Sequence, residues 1–430
     1  MLRYTLNKLL PIATAIVLLT GCFKDSGTKT YKVYTPVLQT TQQVRTAIKN
    51  DVPKPINTVG KMVLFGNYIY LNEPQKGIHI IDNSDPIKPI NKAFINIPGN
   101  ENLAIKDNML FADCYTDLIA IDISNPNSVV TKSFITNLFP DRRYINGYTV
   151  DSNKVIVDWL VKDTTINIDI TNGQGIWKNG SYITSSFNWM SSSFLSASAV
   201  SGGKGIGVTG STSKYAIVNN YLYTLTSSEI KAIDITQPET PKTATSTNVA
   251  WGLETIFPFK NNLFIGTQTG MYIFGLSTPE KPNQLSLFAH ARLCDPVIAD
   301  DKYAFVTLHS NNNSSNGFFT CVGNLNQLDI IDITDLTKSK WLKSYNLTKP
   351  YGLSKDGNLL FICDSEAGLK VFDAADPLNL KTTKTFAIGT TSDVIALNGI
   401  AYVTTSNGLY QYSYKSSNDI SLLSKISLNN

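Results

Sequence analysis

The sequence is poor in charge and in the residues that build metal or disulfide scaffolds. Of its 430 residues, 16% are charged and 42% are hydrophobic, whereas a typical soluble domain has about 25% charged residues. This composition excludes a disordered chain. Five Cys residues are too few for a small disulfide-held scaffold. The three His residues lack metal-ligand spacing, and a net charge of +4 is no nucleic-acid signature. We expect no metal, no cofactor and no nucleic-acid partner.

Long apolar runs are also missing, except for one at the N-terminus. Residues 9–19 are predominantly apolar and follow the basic Arg3 and Lys8, which is the layout of a secretory signal and is too short for a spanning helix. The next residues, Leu19-Thr20-Gly21-Cys22, resemble a bacterial lipobox, which implies that the thiol of Cys22 is acylated. We therefore expect a membrane partner through this lipid, in the cell envelope and at the outer membrane of a Gram-negative bacterium. Either face of that membrane is compatible with the sequence.

One phrase recurs along the rest of the chain. Asn67-Tyr68-Ile69-Tyr70 precedes Gly77-Ile78-His79-Ile80-Ile81-Asp82, and similar pairs of short β-branched and aromatic segments end at 122, 169, 234, 275, 332, 373 and 413. Four of the seven intervals are 40 or 41 residues, which is typical of β-propeller blades. The sequence predicts an all-β propeller of four-stranded blades. Eight blades are preferred and seven are possible, because the copy at 153–169 is degenerate.

A turn signal follows most copies of the phrase. Asp82 precedes Asn-Ser-Asp-Pro86, and Asp122, Asp234 and Asp373 are followed by similar segments that end in Pro. These Asp residues could be ligands, but Asp, Ser and Thr side chains cap turns by bonding to the backbone. The favoured interpretation is a turn brace that is repeated in each blade.

The phrase together with its turn is similar to the LVIVD repeat of bacterial and archaeal cell-surface proteins. The resemblance covers about 60–428 and implies a propeller, with no established activity and no catalytic residues. The copies near Gly275, Leu336 and Ser413 depart from the pattern.

The predicted organisation has four parts. They are a signal peptide at 1–21, a lipid anchor and tether at 22–32, an extension with a short helix at 33–59 and the propeller at 60–430. Thr40 and Gln43 have the spacing of a capping box, and Val44, Ala47 and Ile48 share one face of that helix. The stretch 172–212 is a Gly/Ser-rich insertion or an aromatic contact patch for a sugar or partner. Its aromatic residues are Trp177, Tyr182, Phe187, Trp189 and Phe194.

Candidate ligand-binding residues lie on one side of the predicted propeller. The loops between blades and those between second and third strands share that rim, and they carry Glu73, Glu101, Asp113, His290, Arg292, Asp295, His309 and Asp364. The densest cluster, His290 to Asp295, is expected to form the main cleft with the loop 310–327 and to grip a polar ligand by charge-assisted hydrogen bonds. Alternatively, Arg292 and Asp295 pair with neighbouring blades. Cys294 and Cys321 form a disulfide or stay free thiols.

The pattern as a whole favours binding over chemistry. No G-x-S-x-G elbow is present, so we assign no catalytic residue. The preferred function is a binding or scaffold module for an envelope protein or glycan. The alternatives are an envelope enzyme that acts on glycans through rim carboxylates and a purely structural surface protein.

Overall fold

The computed structural model describes residues 29–145, 148–166, 175–184, 205–289, 296–310 and 325–429. It divides into two compact units. The smaller unit comprises Met1–Pro36 and Trp159–Phe187, and the larger comprises Val37–Asp158 and Asn188–Asn430. No helix in the described ranges is long and apolar enough to cross a membrane.

The predicted N-terminal helix is confirmed. The first elements are β1 (Lys29–Thr40), α1 (Thr41–Thr46) and β2 (Lys49–Asp51). The Thr40 hydroxyl accepts a hydrogen bond from the Gln43 backbone, and the Gln43 side chain accepts one from the Thr40 backbone at 2.8 Å. Val44 is buried in the core of the first two blades. Arg45 donates to one carboxylate oxygen of Asp117 from Nε at 2.8 Å and from Nη2 at 2.6 Å, which ties the helix to the second blade.

The larger unit begins with two four-stranded antiparallel blades. The first consists of β3 (Met62–Phe65), β4 (Tyr68–Glu73), β5 (Gly77–Asp82) and β6 (Ile90–Asn96). The second consists of β7 (Leu103–Lys106), β8 (Met109–Cys114), β9 (Asp117–Asp122) and β10 (Val130–Ile135). The short strand β2 pairs with the outer strand β6, which anchors the N-terminal extension on the first blade.

The described part of the region between the second and third blades contains six strands. They are β11 (Tyr144–Ile145), β12 (Tyr148–Thr149), β13 (Lys154–Ile166), β14 (Ile176–Lys178), β15 (Ser181–Thr184) and β16 (Val208–Thr209). The degenerate copy at 153–169 supplies β13, which lies in a sheet of order β13-β1-β15-β14. Its sheet partners thus include the N-terminal strand β1, whereas each of the other four-stranded sheets contains four consecutive strands.

Part of the predicted aromatic patch lies in the smaller unit. The Trp177 ring lies 6.2 Å from the Trp159 ring and 5.3 Å from the Tyr182 ring, centroid to centroid. Trp159 and Tyr182 are buried, so these aromatic side chains pack on one another. The other three aromatic residues of the predicted patch, Phe187, Trp189 and Phe194, lie outside the described residues.

Five further blades follow in the described part of the larger unit. The third is β17 (Tyr215–Val218), β18 (Tyr221–Leu225), β19 (Glu229–Asp234) and β20 (Lys242–Asn248). The fourth is β21 (Leu253–Phe259), β22 (Asn262–Thr267), β23 (Gly270–Gly275) and β24 (Asn283–Ala289). The fifth is β25 (Val297–Ala299), β26 (Tyr303–Leu308), β27 (Gln327–Asp332) and β28 (Lys340–Asn346). The sixth is β29 (Leu353–Asp356), β30 (Leu359–Cys363), β31 (Leu369–Asp373) and β32 (Lys381–Phe386). The seventh is β33 (Thr391–Leu397), β34 (Ile400–Thr405), β35 (Gly408–Ser416) and β36 (Asp419–Ser427).

The predicted all-β propeller of four-stranded blades is confirmed. The first strands of successive blades are neighbours from β3 to β33. The seventh blade packs on the first through a shared core that includes Met62, Leu71 and Tyr402. Gln411 of the seventh blade also donates to Asn83 of the first at 2.7 Å. The described residues thus contain seven blades of four consecutive strands, and the choice between seven and eight blades stays a prediction.

Two features of the repeated phrase explain its residue types. Gly77 has φ +146°, and a Cβ there would meet the Ile95 carbonyl oxygen of the fourth strand at 2.0 Å, so only Gly fits. At the other end of the same strand, Asp82 accepts a hydrogen bond from the Ser84 backbone at 3.0 Å. The same bond recurs at Asp122, Asp234, Asp332 and Asp373. The turn-brace interpretation is therefore confirmed.

Candidate functional site

The first strands of the blades surround a central channel with two different ends. We call the end where these strands begin, beside the inter-blade loops and the loops between second and third strands, the loop end. We call the other end, at the turns between first and second strands, the turn end. The predicted rim residues that the structure describes belong to the loop end, because they precede a first strand or lie at or close to the end of a second strand. They are Glu73, Glu101, Asp113, His309 and Asp364.

Asp113 is a fully buried brace at the loop end. Its carboxylate accepts hydrogen bonds from the backbone N–H groups of Glu101 and Asn102 at 2.6 and 2.9 Å. It also pairs with Arg142 at 2.8 Å. Burial disfavours the charged guanidinium, but Asp113 and Glu101 outweigh it and raise the pKa of Arg142. The carboxylate thereby fixes the loop that joins the first and second blades.

Asp364 plays the same part four blades later. It is fully buried, accepts hydrogen bonds from the backbone N–H groups of Thr348 and Lys349, and pairs with Lys370 at 2.5 Å. Asp364 therefore holds the loop between the fifth and sixth blades in the same way as Asp113 holds the loop between the first and second blades. The recurrence in two blades marks these carboxylates as parts of the repeat.

Glu73 and Glu101 are also engaged. Glu73 accepts from His79 Nε2 at 2.9 Å and from the Asn57 amide at 3.3 Å. Burial raises the pKa of Glu73, but these two hydrogen bonds outweigh it and hold the pKa below its ordinary value. Glu101 accepts a hydrogen bond from the Gln75 side chain.

His309 is buried rather than presented to a ligand. Its ring lies 4.3 Å from the ring of Tyr351. Burial, aided by the charge of Lys349, lowers the pKa of His309 to about 3. The imidazole is therefore neutral at physiological pH and carries no positive charge that would attract an anionic ligand.

The densest predicted cluster falls outside the described residues. His290, Arg292, Cys294 and Asp295 lie in 290–295, and Cys321 lies in 311–324. The main cleft expected there and the possible disulfide therefore stay predictions. The Cys114 and Cys363 thiols are free and buried. No group of three or more His, Cys, Asp and Glu residues within the described ranges could hold a metal ion.

Two further titratable groups, Lys61 and Asp393, lie at the loop end where the first and seventh blades meet. Lys61 is buried and donates to the Asn102 side chain. Burial and the charge of Lys214 lower the pKa of Lys61 to about 8, against the opposing effect of Glu101 and Asp113. Burial raises the pKa of Asp393 well above its ordinary value, although Lys61 and the Thr212 hydroxyl oppose this. Sequence reasoning missed the burial of Lys61, since a lysine just before a strand is ordinarily exposed.

A segment of the chain crosses the channel between these ends. Gly207 N–H donates to the Ile105 carbonyl at 2.8 Å, and β16 pairs with β3. Further along, the Ser211 hydroxyl accepts from the Leu353 backbone at 3.2 Å, and the Ser213 carbonyl accepts from the Ile256 backbone at 2.8 Å. The segment 205–213 therefore bonds to first strands of the first, second, fourth and sixth blades.

The turn end holds a cavity of about 540 Å³, which is within the usual range of ligand pockets. Apolar side chains of several first strands form its wall, with Phe305 behind them, and the channel-crossing segment contributes Ile206, Gly207 and Thr209. Pro258 is tolerated in β21 because it lies two residues after Ile256, so the N–H group that it lacks would point away from β22 and no ladder bond is lost. Sequence analysis missed the cavity because its lining residues are scattered over five blades.

Charges at the cavity mouth occur in matched pairs. Lys355 Nζ lies 3.0 Å from Asp300, and Lys260 Nζ lies 2.5 Å from Asp301. The two ammonium groups also lie over aromatic rings, Lys355 over Phe305 at 5.7 Å and Lys260 over Phe259 at 5.5 Å from the ring centroids. The mouth therefore combines donors, acceptors and aromatic surface without an excess of either charge.

The comparisons with known proteins agree with the repeat pattern. The LVIVD repeat model matches residues 59–96, 101–136 and 314–346. No curated protein matches the chain. Among solved structures, the chain is similar to BamB from Moraxella catarrhalis, with 8% identity over 88% of this chain and 96% of that chain and a TM-score of 0.47. It is also similar to PorZ, a surface component of the type-IX secretion system of Porphyromonas gingivalis, with 11% identity over 88% and 39% and a TM-score of 0.47.

A third similar structure is a functionally unknown protein from Desulfotomaculum acetoxidans. It is 13% identical over 50% of this chain and 69% of that chain, with a TM-score of 0.41. At such identities these likenesses concern the fold alone. The three matched segments identify this chain as one that carries LVIVD repeats, within an all-β propeller.

Proposed function

We propose that the protein is a lipid-anchored binding module of the cell envelope, attached through Cys22 to the outer membrane of a Gram-negative bacterium, which holds a protein or glycan partner. The observation that carries the proposal is the cavity at the turn end. It is a ligand-sized concave surface with an apolar wall and a few polar groups at its mouth, which is the usual construction of a binding pocket.

The hydrogen bonds that the rim carboxylates accept support a binding function rather than glycan hydrolysis. A general acid or base must reach the substrate with a free carboxyl group. Glu73, Asp113 and Asp364 instead accept hydrogen bonds from neighbouring backbone or side-chain groups. Breaking these hydrogen bonds to free the carboxylates would also free the loops that the carboxylates hold in place.

The binding claim is tested by filling the cavity. Ala299 lines it and is half-buried, so Ala299→Trp should occlude the pocket. Ala367 is also half-buried but lies at the loop end, and Ala367→Trp is the matched control. We expect the full-length protein to bind members of a panel of envelope glycans and envelope-protein peptides, Ala367→Trp to bind equally and Ala299→Trp to lose binding. Equal binding by all three proteins would contradict a site in this cavity.

The anchor is tested separately. Cys22→Ala should abolish labelling of the protein by radioactive palmitate and should prevent removal of residues 1–21 by the lipoprotein peptidase. Undiminished palmitate incorporation in this variant would contradict lipid attachment at Cys22.

A further inference from the structure

We infer that the turn-end cavity takes a neutral saccharide unit, an inference that rests on the proposed binding function and specifies its ligand. The argument uses the pairing of charges at the mouth, the geometry of one ion pair and the apolar lining of the cavity.

The pairing of charges favours a neutral ligand. Lys355 and Lys260 each have a carboxylate partner, Asp300 and Asp301, within 3.0 Å. A phosphate or carboxylate ligand would have to displace one of these acidic side chains, or bind beside it against its repulsion. A cationic ligand would meet the same obstacle from the lysines. A neutral ligand meets no such electrostatic cost.

The geometry of the Lys355–Asp300 pair suits neighbouring hydroxyl groups. The pair presents an N–H donor and a carboxylate acceptor side by side, 3.0 Å apart. A hydroxyl group both donates and accepts, so two adjacent hydroxyls can accept from the ammonium and donate to the carboxylate without separating the pair. Hydrogen bonds to charged groups are stronger than neutral ones, so this arrangement favours a polyol over a ligand with one polar atom.

The cavity also has apolar lining residues. Phe257 and Ile298 line the cavity, and the half-buried ring of Phe259 lies near its mouth. A sugar ring has one polar edge and one face of C–H groups, so it can place that face on the wall while its hydroxyls meet the pair. The exposed amide of Asn219 in the β17–β18 turn adds a further donor and acceptor. A fatty acyl chain would use the wall and leave these polar groups without ligand bonds.

The test measures binding of the full-length protein by saturation-transfer NMR and calorimetry. The probes are neutral oligosaccharides of glucose, galactose, mannose and N-acetylglucosamine, matched uronic-acid oligosaccharides and a hydrophobic peptide. We expect neutral probes to bind wild type and Ala367→Trp, and Ala299→Trp to bind at least about tenfold more weakly. Melting curves verify that each variant is folded.

A second variant changes charge with little change in volume. Asp300→Asn leaves Lys355 without its carboxylate partner, so it should weaken binding of neutral probes by about tenfold and improve binding of uronic-acid probes. This variant keeps the inference testable if the Trp substitution disrupts folding.

Each contrary outcome has a separate meaning. Preferential binding of the acidic probes or the peptide by wild type, lost in Ala299→Trp, would overturn the saccharide inference and retain the proposed binding function. Neutral-sugar binding that Ala299→Trp and Asp300→Asn leave unchanged would also overturn the inference, because the sugar would lie elsewhere. Failure of wild type to bind any probe would overturn both.

Discussion

The two ends of the propeller channel use charged side chains in opposite ways. At the loop end, Asp113 and Asp364 are fully buried and bind the backbone of inter-blade loops. At the turn end, Asp300 and Lys355 are partly exposed and pair at the mouth of a cavity. A buried carboxylate surrounded by donors holds the fold, whereas partly exposed pairs beside an apolar wall can meet a ligand.

This comparison explains why the described rim candidates do not form a free polar cleft. Each predicted carboxylate among the described residues reaches the loop end as expected, but the donors that satisfy it come from the adjoining loop or strand. Burying a carboxylate without such partners would lower the stability of the fold, so the loops and strands of the repeat provide the hydrogen-bond donors. The ligand-sized cavity lies at the end where the turns are short and first strands of several blades converge.

The largest effect should come from removing the brace at the loop end. Asp113→Ala leaves the Arg142 guanidinium and several N–H groups without their acceptor, and breaking a buried pair in this way costs about 3–5 kcal/mol. The free energy of unfolding is measured by denaturant titration. The control is Asp301→Ala at the turn end, where the pair is exposed and the expected loss is below about 1 kcal/mol. If both variants lost the same free energy of unfolding, the charged groups at the two ends would not differ in their contribution to stability, and the comparison would be wrong.

The next effect concerns the buried ammonium of Lys61. Its folded-state pKa is about 8 against an ordinary 10.5, so between these values the unfolded chain binds more protons than the folded protein. Stability should therefore rise with pH in this window, by up to about 1.4 kcal/mol per pH unit. Lys61→Met should lack this rise. Unfolding is measured from pH 7 to 10.5 for both proteins, and parallel curves would show that Lys61 is solvated like an ordinary lysine.

The smallest effect concerns an exposed turn that belongs to the repeat itself. Asp122→Ala removes the bonds that Ser124 donates at 2.9 and 2.6 Å, at an expected cost of about 1 kcal/mol. Asp122→Asn keeps an acceptor oxygen and should cost less. The Ser124 bonds lower the pKa of Asp122, so the wild-type advantage should be present above about pH 4 and disappear as the pH falls through the folded-state pKa. An advantage that persists at pH 2 would contradict the assignment.

The sequence predicted the parts of the fold that depend on local chemistry. The Asp82 and Asp122 braces, the Thr40 capping box and the strand pairs all follow from neighbouring residues. The copy at 153–169 could not fix the blade count, because its alternating pattern fits any strand and because β1, which precedes it by more than 100 residues, shares its sheet. The cavity was not predictable either. Its lining residues come from five blades and meet only in the folded protein, so no local sequence pattern marks them.

The central claim, that the turn end holds the ligand while the loop end holds the fold, is tested most directly in intact envelopes. A photo-reactive amino acid replaces Asp301 at the turn end in one protein and Glu366 at the loop end in another, both at exposed positions. After irradiation, we expect a discrete adduct from position 301 that disappears when Ala299→Trp is added, and no adduct from position 366. An adduct from position 366 alone would place the ligand at the loop end and contradict the account.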